Sequence, residues 1–379
     1  MNKAIREAIK SGDMWEICRL AKEPGAPIEK LAKAVIDSKN QDCILYFARE
    51  IEGAPIKKLA EAAIKSNDMR CIFEFAQDVA GAPIEELSYA IGFGGDLEWM
   101  HFFAKNIPGA SIESMEDAVI ARGDGKLIYD FAKNIPGASI EKLAEAVIAG
   151  GDLQNIFFFA LTIPNAPIDK LADAVIAQGD IWSVHDFAMN VPGAPIDKLA
   201  DAVIATNSAV EMAYFVQEVP NAPIKKFADK LNTSVENFEQ DVAMQAAYEA
   251  IAGGNAGLIY RLAKDIPGAP IELLANAVIE SKNVTVIRYF AQGVSGAPID
   301  KLADAVIKYG EVWDIVDFAK SVSDSSIIDK LARAVISKND KKWMADFVKN
   351  VPNAPLGRFA EAFGTTVEEL EEKIVGKRK

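Results

Sequence analysis

The feature that most constrains this chain is a phrase that recurs at a fixed interval. The stretch VPGAPIDKLADAVIA at 191–205 has close counterparts at 107–121, 163–177 and 294–308. Its second proline marks a period of 28 residues, with one interruption between 223 and 270 and a one-residue insertion before 327. A fixed period in this range is typical of stacked supersecondary units. The marker position is held by Pro27, Pro55, Pro83, Ser111, Ser139, Pro167, Pro195, Pro223, Pro270, Pro298, Ile327 and Pro355.

Each repeat is numbered here from position 1, the marker proline, to position 28. Positions 2, 5, 6, 9 and 10 are apolar, as in Ile168, Leu171 and Val175, and this is the spacing of one buried helical face. Proline is expected at the first helical position, where its missing N–H has no partner to lose. An acid at position 3 is favourable beside the positive end of a helix. Positions 1 to 12 therefore predict a first helix.

A tight corner and a second helix follow in each repeat. Position 13 is Gly or Asn in most repeats, and these residues tolerate the left-handed backbone that ends a helix. Position 14 is Asp, Asn or Ser in most repeats, the preferred N-cap residues, so we expect Asp124, Asp152 and Asp180 to cap second helices through their side chains. The second helix spans positions 15 to 25. Positions 26 to 28, usually Pro-Gly-Ala or Pro-Asn-Ala, turn the chain into the next repeat.

This layout resembles the α-solenoid class of proteins. The pattern GDxxxIxxFAKNIPGAxIxKLAxAVI is similar to short helical repeats found in tandem in uncharacterised bacterial and phage proteins. The resemblance covers nearly the whole chain. It implies an all-α fold, a right-handed α-solenoid superhelix of stacked helix-turn-helix repeats, and it implies no particular activity.

The interruption of the period predicts two arrays. The irregular stretch FADKLNTSVENFEQDVAMQAAYEAI begins like the C-terminal FAEAFGTTVEELEEKI, and the sequence after it resembles the N-terminus. The predicted organisation is a longer array at 1–244 and a shorter one at 245–379, each closed by a capping helix that covers its last repeat. One rigid superhelix and a hinged pair both remain open.

Composition narrows the partners and the compartment. The formal net charge of −14 disfavours nucleic acid, which needs clustered Lys and Arg, and is compatible with basic partners. The three cysteines form no Cys-x-x-Cys pair, and an odd count suits a reducing compartment. The N-terminus lacks the apolar core of a signal peptide, and no apolar run is long enough to span a bilayer. We expect a cytoplasmic protein that does not enter membranes.

Residues that commonly carry catalysis are few and scattered. The histidines His101 and His185 share position 19 three repeats apart, so typical helix spacing separates them by roughly 30 Å and excludes a shared metal. The sequences GFGGD at 92–96 and RGD at 122–124 are interpreted as repeat corners, because no Gly-Lys-Ser/Thr and no strand accompany them. No Ser, Cys or Thr has a nearby base. We predict no enzymatic activity, no cofactor and no metal.

The candidate functional surface lies on the second helices. With position 18 at the centre of the buried face and 100° per residue, position 20 points outward and position 19 lies on the flank. Position 20 alternates between aromatic and charged residues, and large outward rings on a soluble surface need an explanation. The predicted partner-binding residues are Tyr46, Phe102, Phe158, Tyr214, Glu74, Asp130, Asp186, Phe73, His101, Tyr129, Phe157 and His185.

Two interpretations of these rings compete. They pack against neighbouring second helices, or they form a ladder of aromatic and acidic groups that binds a peptide carrying Lys or Arg through cation–π contacts and charge pairing. We favour a non-catalytic protein- or peptide-binding scaffold. The alternatives are nucleic-acid binding by a repeat code, similar in layout to the DNA-reading repeats of TAL effectors, and a structural spacer in an assembly. A nucleic-acid binder predicts a basic stripe, which the sequence lacks, and a spacer predicts no groove.

Overall fold

The computed structural model describes residues 3–375, which fold into helices with no β-strand anywhere in that range. The predicted all-α class is therefore confirmed. Each helix contacts mainly its neighbours in sequence and the helices two places away, which is the contact pattern of a helical repeat solenoid. The contacts divide the chain into two compact units with the boundary between Pro195 and Ile196. They are called the N-terminal unit and the C-terminal unit below.

Within residues 3–195, the N-terminal unit contains seven pairs of helices. Odd-numbered helices are the first helices of repeats, and even-numbered ones are the second helices. Their bounds are α1 Lys3–Ser11, α2 Met14–Ala21, α3 Ile28–Ser38, α4 Gln41–Glu50, α5 Ile56–Lys65, α6 Met69–Asp78, α7 Ile84–Gly94, α8 Leu97–Asn106, α9 Ile112–Arg122, α10 Gly125–Asn134, α11 Ile140–Gly150, α12 Leu153–Thr162, α13 Ile168–Gln178 and α14 Ile181–Asn190.

The C-terminal unit continues the pairs and includes the irregular segment. Its helices are α15 Ile196–Ala205, α16 Ala209–Glu218, α17 Ile224–Leu231, α18 Phe238–Ala252, α19 Ala256–Asp265, α20 Ile271–Glu280, α21 Val284–Gly293, α22 Ile299–Tyr309, α23 Val312–Ala319, α24 Ser325–Ser337, α25 Lys341–Asn350, α26 Leu356–Phe363 and α27 Val367–Leu370. A π-helical turn, Glu371–Val375, follows α27.

A phenylalanine at position 21 of the second helix anchors the core of most repeats. Its side chain is fully buried, as are the apolar residues at positions 5, 6 and 9 of most first helices. Burying such a ring contributes on the order of 2–3 kcal/mol relative to leaving it exposed. The short helices are therefore held by their neighbours rather than by intrinsic propensity. The series is Phe47, Phe75, Phe103, Phe131, Phe159, Phe187, Phe215, Phe290, Phe318 and Phe347.

The first helix of most repeats begins one residue later than predicted. Pro27 is the N-cap of α3 rather than its first helical residue, with φ −78° and ψ 73°, and Pro55 and Pro167 do the same before α5 and α13. The carbonyl of Pro27 accepts the first helical hydrogen bond, from the N–H of Leu31 at 3.2 Å. The fixed φ of proline suits this position, and its missing N–H leaves no buried donor unpaired.

Two repeats carry serine at position 1, and serine has the backbone N–H that proline lacks. The N–H of Ser111 donates to the hydroxyl of Ser88 at 3.0 Å, and the N–H of Ser139 donates to the carboxylate of Glu116. Both acceptors are buried and stand at position 6 of the preceding first helix. Where position 1 of a repeat is proline, position 6 of the preceding repeat is alanine, as in Ala32, Ala60, Ala144 and Ala172. Positions 6 and 1 therefore vary together because the donor needs a partner.

The corners are confirmed in most repeats, although Gly310 before α23 keeps a negative φ of −88°. Asn67, Gly123 and Gly151 adopt positive φ, 57°, 70° and 70°, and end their first helices. Asp124 and Asp152 each accept two backbone N–H groups at the start of α10 and α12. The prediction for Asp180 is wrong, since its side chain makes no cap hydrogen bond. Its carboxylate accepts the hydroxyl of Ser183 instead, and such local side-chain partners compete with capping.

This difference gives a matched pair of variants. Asp152→Ala is expected to lower the free energy of unfolding by about 1 kcal/mol, because two N–H groups of α12 lose their acceptor. Asp180→Ala is expected to cost clearly less, since no backbone N–H depends on that carboxylate. Urea denaturation followed by circular dichroism measures both. Equal losses for the two variants would contradict the assignment of the cap.

The predicted boundary between residues 244 and 245 falls inside α18, which is continuous. Helix α18 packs extensively on α16 and also contacts α19. Its Glu249 carboxylate accepts the N–H groups of Ala209 and Val210, at 2.7 and 3.3 Å, and the hydroxyl of Ser208 at 2.7 Å. One helix therefore caps the array before it and begins the array after it. That each array folds alone stays a prediction.

Candidate functional site

The outward positions of the second helices are only partly open. Phe102 on α8 and Phe158 on α12 expose 48% and 43% of their surface, and Asp186 on α14 is also exposed. His101 on α8 is exposed as well. The half-buried members of the predicted set are Tyr46, Glu74, Asp130, Tyr129 and Phe157. The surface formed by α8, α10, α12 and α14 is called the second-helix face below.

Three predicted partner-binding residues are buried, which contradicts the expectation that their side chains are open on the surface. Phe73 packs against the next repeat, with its ring centroid 4.8 Å from that of Phe102. His185 is buried next to Trp182, with ring centroids 6.1 Å apart.

Tyr214 is buried for a different reason. It lies on α16, where the irregular helix α18 packs in place of a regular repeat. The guanidinium of Arg261 lies 5.4 Å from the centroid of its ring. Burial raises the pKa of Tyr214 to about 12. The predicted four-ring ladder therefore ends before Tyr214.

At the start of the chain, the predicted groups already have intramolecular partners. The hydroxyl of Tyr46 accepts a hydrogen bond from the ammonium of Lys22 at 3.0 Å, and its ring meets that of Trp15 edge-on at 5.3 Å. The carboxylate of Glu74 is paired with Arg70 at 2.7 Å. The ring and the carboxylate that a basic partner would contact are therefore already paired with cations of the chain itself.

The centre of the second-helix face is different. The ring of Phe158 lies between two pockets, of about 330 and 700 Å³, and lines both. Asp186 lines the smaller pocket and Asp130 the larger one. Neither carboxylate makes a hydrogen bond or an ion pair with any residue in the described range 3–375. An apolar ring therefore stands between two acceptors that are open to a ligand.

The flank residues complete the walls of these pockets. Phe157 lines the smaller pocket and contacts Phe158 edge-on, with ring centroids 6.2 Å apart. Tyr129 lines the larger one, and its hydroxyl accepts hydrogen bonds from Thr162 at 3.0 Å and Lys133 at 3.3 Å. These hydrogen bonds, from Thr162 first and then Lys133, lower the pKa of Tyr129. Both side chains are thus held in place before any ligand arrives.

Sequence reasoning missed a set of tryptophans on the same outward phase. Trp15, Trp182 and Trp313 all stand at position 16 and expose 57%, 45% and 42% of their surface. Position 16 had the right phase to be noticed, because it points away from the core with position 20. Most other repeats hold a polar or charged residue at position 16. The three tryptophans therefore do not form the regular pattern along the chain that drew attention to position 20.

The corner motifs have their polar groups engaged in local structure. Gly95 in GFGGD takes a left-handed φ of 79°, and Asp96 caps α8 through two backbone N–H groups. Asp124 in RGD caps α10. Cys18, Cys43 and Cys71 are free thiols buried in the core. Burial raises the pKa of the Cys18 thiol to about 11 and that of Cys71 to about 12, which disfavours the nucleophilic thiolate.

Buried His185 predicts a pH dependence of stability. Burial lowers its pKa to about 4 in the folded protein, against 6.5 ordinarily. Between these values only the unfolded state takes up the proton, so stability falls as the pH drops from 6.5 towards 4. Compared with His185→Phe, the free energy of unfolding of the wild-type chain should fall by about 1 kcal/mol more for each pH unit in this window. His101→Phe, at the exposed counterpart, should keep the wild-type slope in urea denaturation; parallel slopes for all three proteins would contradict the prediction.

The fold and this surface define a helical repeat protein with an aromatic and acidic second-helix face. No protein-family model matches the chain, and no curated protein matches it. Among solved structures, it is similar to a chain from the computational design of self-assembling cyclic protein homooligomers, at 17% identity over 92% of this chain and 100% of that one. The TM-score is 0.10, so the match carries no argument about fold or function. Within residues 3–375, no helix has the length and apolar character needed to cross a membrane.

Proposed function

We propose that this chain is a non-catalytic scaffold whose second-helix face binds a basic segment of a protein partner. The observation that supports this is the exposed ring of Phe158 between two pockets, each with a carboxylate that has no intramolecular partner. The net charge of −14 favours a cationic partner over nucleic acid. Free thiols in the core support a reducing compartment such as the cytoplasm.

The chemistry of this surface suits Lys or Arg flanked by an apolar residue. A cation over the face of Phe158 contributes about 0.5–1 kcal/mol at an exposed site and more once water is excluded. The carboxylates of Asp130 and Asp186 then pair with the same or neighbouring cations. Because exposed charge pairs are screened over about 8–10 Å at ordinary ionic strength, binding should weaken as salt is added. Affinity then depends on the ring, and selection for basic sequences depends on the acids.

Selection from a phage-displayed random peptide library tests this proposal. The full chain is the bait, and the best peptide is measured by fluorescence anisotropy. We expect enrichment of Lys or Arg beside an apolar residue. Phe158→Ala should weaken binding at least tenfold, as loss of a central anchor does, and Asp130→Asn with Asp186→Asn should weaken it and reduce its salt dependence.

A matched control separates the face from the rest of the surface. Tyr248→Ala removes a ring that is 59% exposed on α18 in the C-terminal unit and should leave peptide binding unchanged. A spacer predicts that no peptide is enriched, or that Phe158→Ala binds as well as the wild type. Either result would refute the proposal.

A further inference from the structure

The first helices carry a ladder of ion pairs that joins successive repeats. At most steps a lysine at position 4 reaches back to acids at positions 3 and 7 of the preceding first helix. Each ammonium thus takes a fixed place beside the preceding helix. The pairs include Lys58–Glu29 at 2.8 Å, Lys142–Asp117 at 2.6 Å, Lys170–Glu145 at 2.8 Å, Lys226–Asp201 at 3.0 Å, Lys301–Glu272 at 2.9 Å and Lys330–Asp304 at 2.7 Å.

The ladder is broken between α7 and α9. Position 4 of α9 is Ser114, so no lysine reaches back to α7. Glu85, the position-3 acid of α7, makes no ion pair or hydrogen bond with any residue between 3 and 375. Position 7 of α7 is Tyr89, where the other first helices of the N-terminal unit from α3 onward carry a charged residue. Position 4 of α7 is also not lysine but Glu86, which lies 3.9 Å from Lys57 of α5 in a pair of reversed direction. The step between α7 and α9 therefore has a position-3 acid and no ammonium group that reaches it.

A glycine shapes the same step. Position 10 is isoleucine in the neighbouring first helices but Gly92 in α7. A Cβ on Gly92 would lie 2.6 Å from the carbonyl oxygen of Met115, so only glycine allows α7 and α9 this approach. Ser114, at position 4 of α9, is buried. Its short side chain does not extend over the surface as a lysine at this position would.

A pocket of about 620 Å³ lies at this step. Its walls include the carboxyl-bearing Glu85 and Glu86 and the rings of Tyr89 and Phe93. The rings expose 41% and 50% of their surface and stack at a centroid distance of 6.3 Å and an interplanar angle of 13°. The guanidinium of Arg122 lies 5.8 Å from the centroid of Phe93, so this ring already contacts one cation.

The other acids of the pocket are partly neutralised within the chain. Asp117 is held by Lys142, and Glu86 lies 3.9 Å from Lys57. Glu85 therefore supplies the uncompensated charge, and Tyr89 supplies an exposed aromatic face beside it. This combination matches one alkylammonium group in charge and in surface.

We propose that this pocket, on the first-helix side of the N-terminal unit, binds a lysine side chain presented by a partner protein. The lysine takes the place that the chain's own position-4 lysine takes at other steps. Its ammonium pairs with Glu85, and its aliphatic stem lies against Tyr89 and Phe93. The pocket is several times larger than a bare alkylammonium ion, so residues flanking the lysine also fit within it. This site is separate from the second-helix face and does not depend on the function proposed for that face.

Fluorine NMR of the full chain labelled with 3-fluorotyrosine tests the proposal. The Tyr89 signal is assigned from the Tyr89→Phe variant. The probe is the tripeptide acetyl-Gly-Lys-Gly-amide, and its neutral match carries norleucine in place of lysine. We expect a saturable shift of the Tyr89 signal with the lysine tripeptide and no saturable shift with the norleucine tripeptide.

Variants at position 3 provide the control. Glu85→Gln should weaken binding of the lysine tripeptide at least fivefold, and Glu85→Lys should abolish it. Glu29→Gln removes an acid at the same repeat position that is already paired with Lys58, so binding should stay at the wild-type level. Both sites are exposed, which favours normal folding of the variants.

Four outcomes would overturn the proposal. They are equal shifts with the norleucine tripeptide, full binding by Glu85→Gln, binding of free n-butylammonium as tightly as the tripeptide, and a shift of Tyr129 without one of Tyr89. The third outcome would assign the pocket to small free amines. The fourth would assign the tripeptide to the second-helix face.

Discussion

Ser139→Pro is expected to destabilise the N-terminal unit by about 2–3 kcal/mol, although it restores the residue that most repeats carry. In the wild type the N–H of Ser139 donates to the carboxylate of Glu116, which is only 2% exposed. Proline removes that donor and leaves a buried carboxylate with Lys142 at 3.9 Å as its nearest cation. Leaving a buried charged acceptor unsatisfied costs more than losing an exposed hydrogen bond.

The second substitution should reverse the first. Glu116→Ala combined with Ser139→Pro recreates the Ala–Pro pair of the other repeats, and we expect the double variant to be at least as stable as the wild type. Burial raises the pKa of Glu116, so removing this carboxyl also removes a desolvation cost. Urea denaturation of the wild type, both single variants and the double variant gives the coupling energy. Additive effects would show that positions 6 and 1 do not depend on each other.

Cutting the chain inside α18 is expected to cost on the order of 3 kcal/mol compared with cutting after it. A fragment of residues 1–244 lacks Glu249, which caps α16, and loses the buried residues Ala246, Ala247 and Ala250. A fragment of residues 1–254 keeps all of them. Lost apolar contacts and a lost cap together account for this magnitude. Thermal melts followed by circular dichroism should differ by about 6–12 °C.

Two further measurements serve as controls for this prediction. Residues 235–379, which keep α18, should melt more cooperatively than residues 245–379, which begin inside it. Glu249→Gln in the 1–254 fragment tests the cap alone and should account for only part of the difference. Coincident melts for 1–244 and 1–254 would show that the second half of α18 contributes nothing to the array before it.

The helices and corners could be predicted from sequence because their causes are local. Left-handed residues such as Gly123 and N-caps such as Asp124 act within a few residues, and repetition shows each signal many times. The error at Asp180 is also local, because the hydroxyl of Ser183 takes the carboxylate, and no repeat average reveals that competition. The one-residue error at the prolines arises because an N-cap and a first helical residue have similar φ.

The candidate site was harder to predict because exposure depends on neighbouring repeats. Position 20 always points in the same direction from its helix, yet its exposure differs between repeats. Phe158 is exposed, whereas Tyr214 is covered by α18, which interrupts the period. His185 and His101 share position 19, but only the first is buried. The pocket beside Tyr89 needed both the ladder of lysines and the absence of one, and that ladder is visible only once the helices are placed side by side.

The coupling of Ser139 to Glu116 has a consequence for how such an array can change its number of repeats. Recombination between repeats joins the start of one copy to the end of another. A crossover between position 6 and the following position 1 would place proline after Glu116, or serine after alanine. A crossover between positions 1 and 6 keeps every acceptor with its donor, and deletion of residues 112–139 would remove Glu116 and Ser139 together. The unit that can be gained or lost without separating an acceptor from its donor therefore begins within the first turns of the first helix, rather than at the turn between repeats.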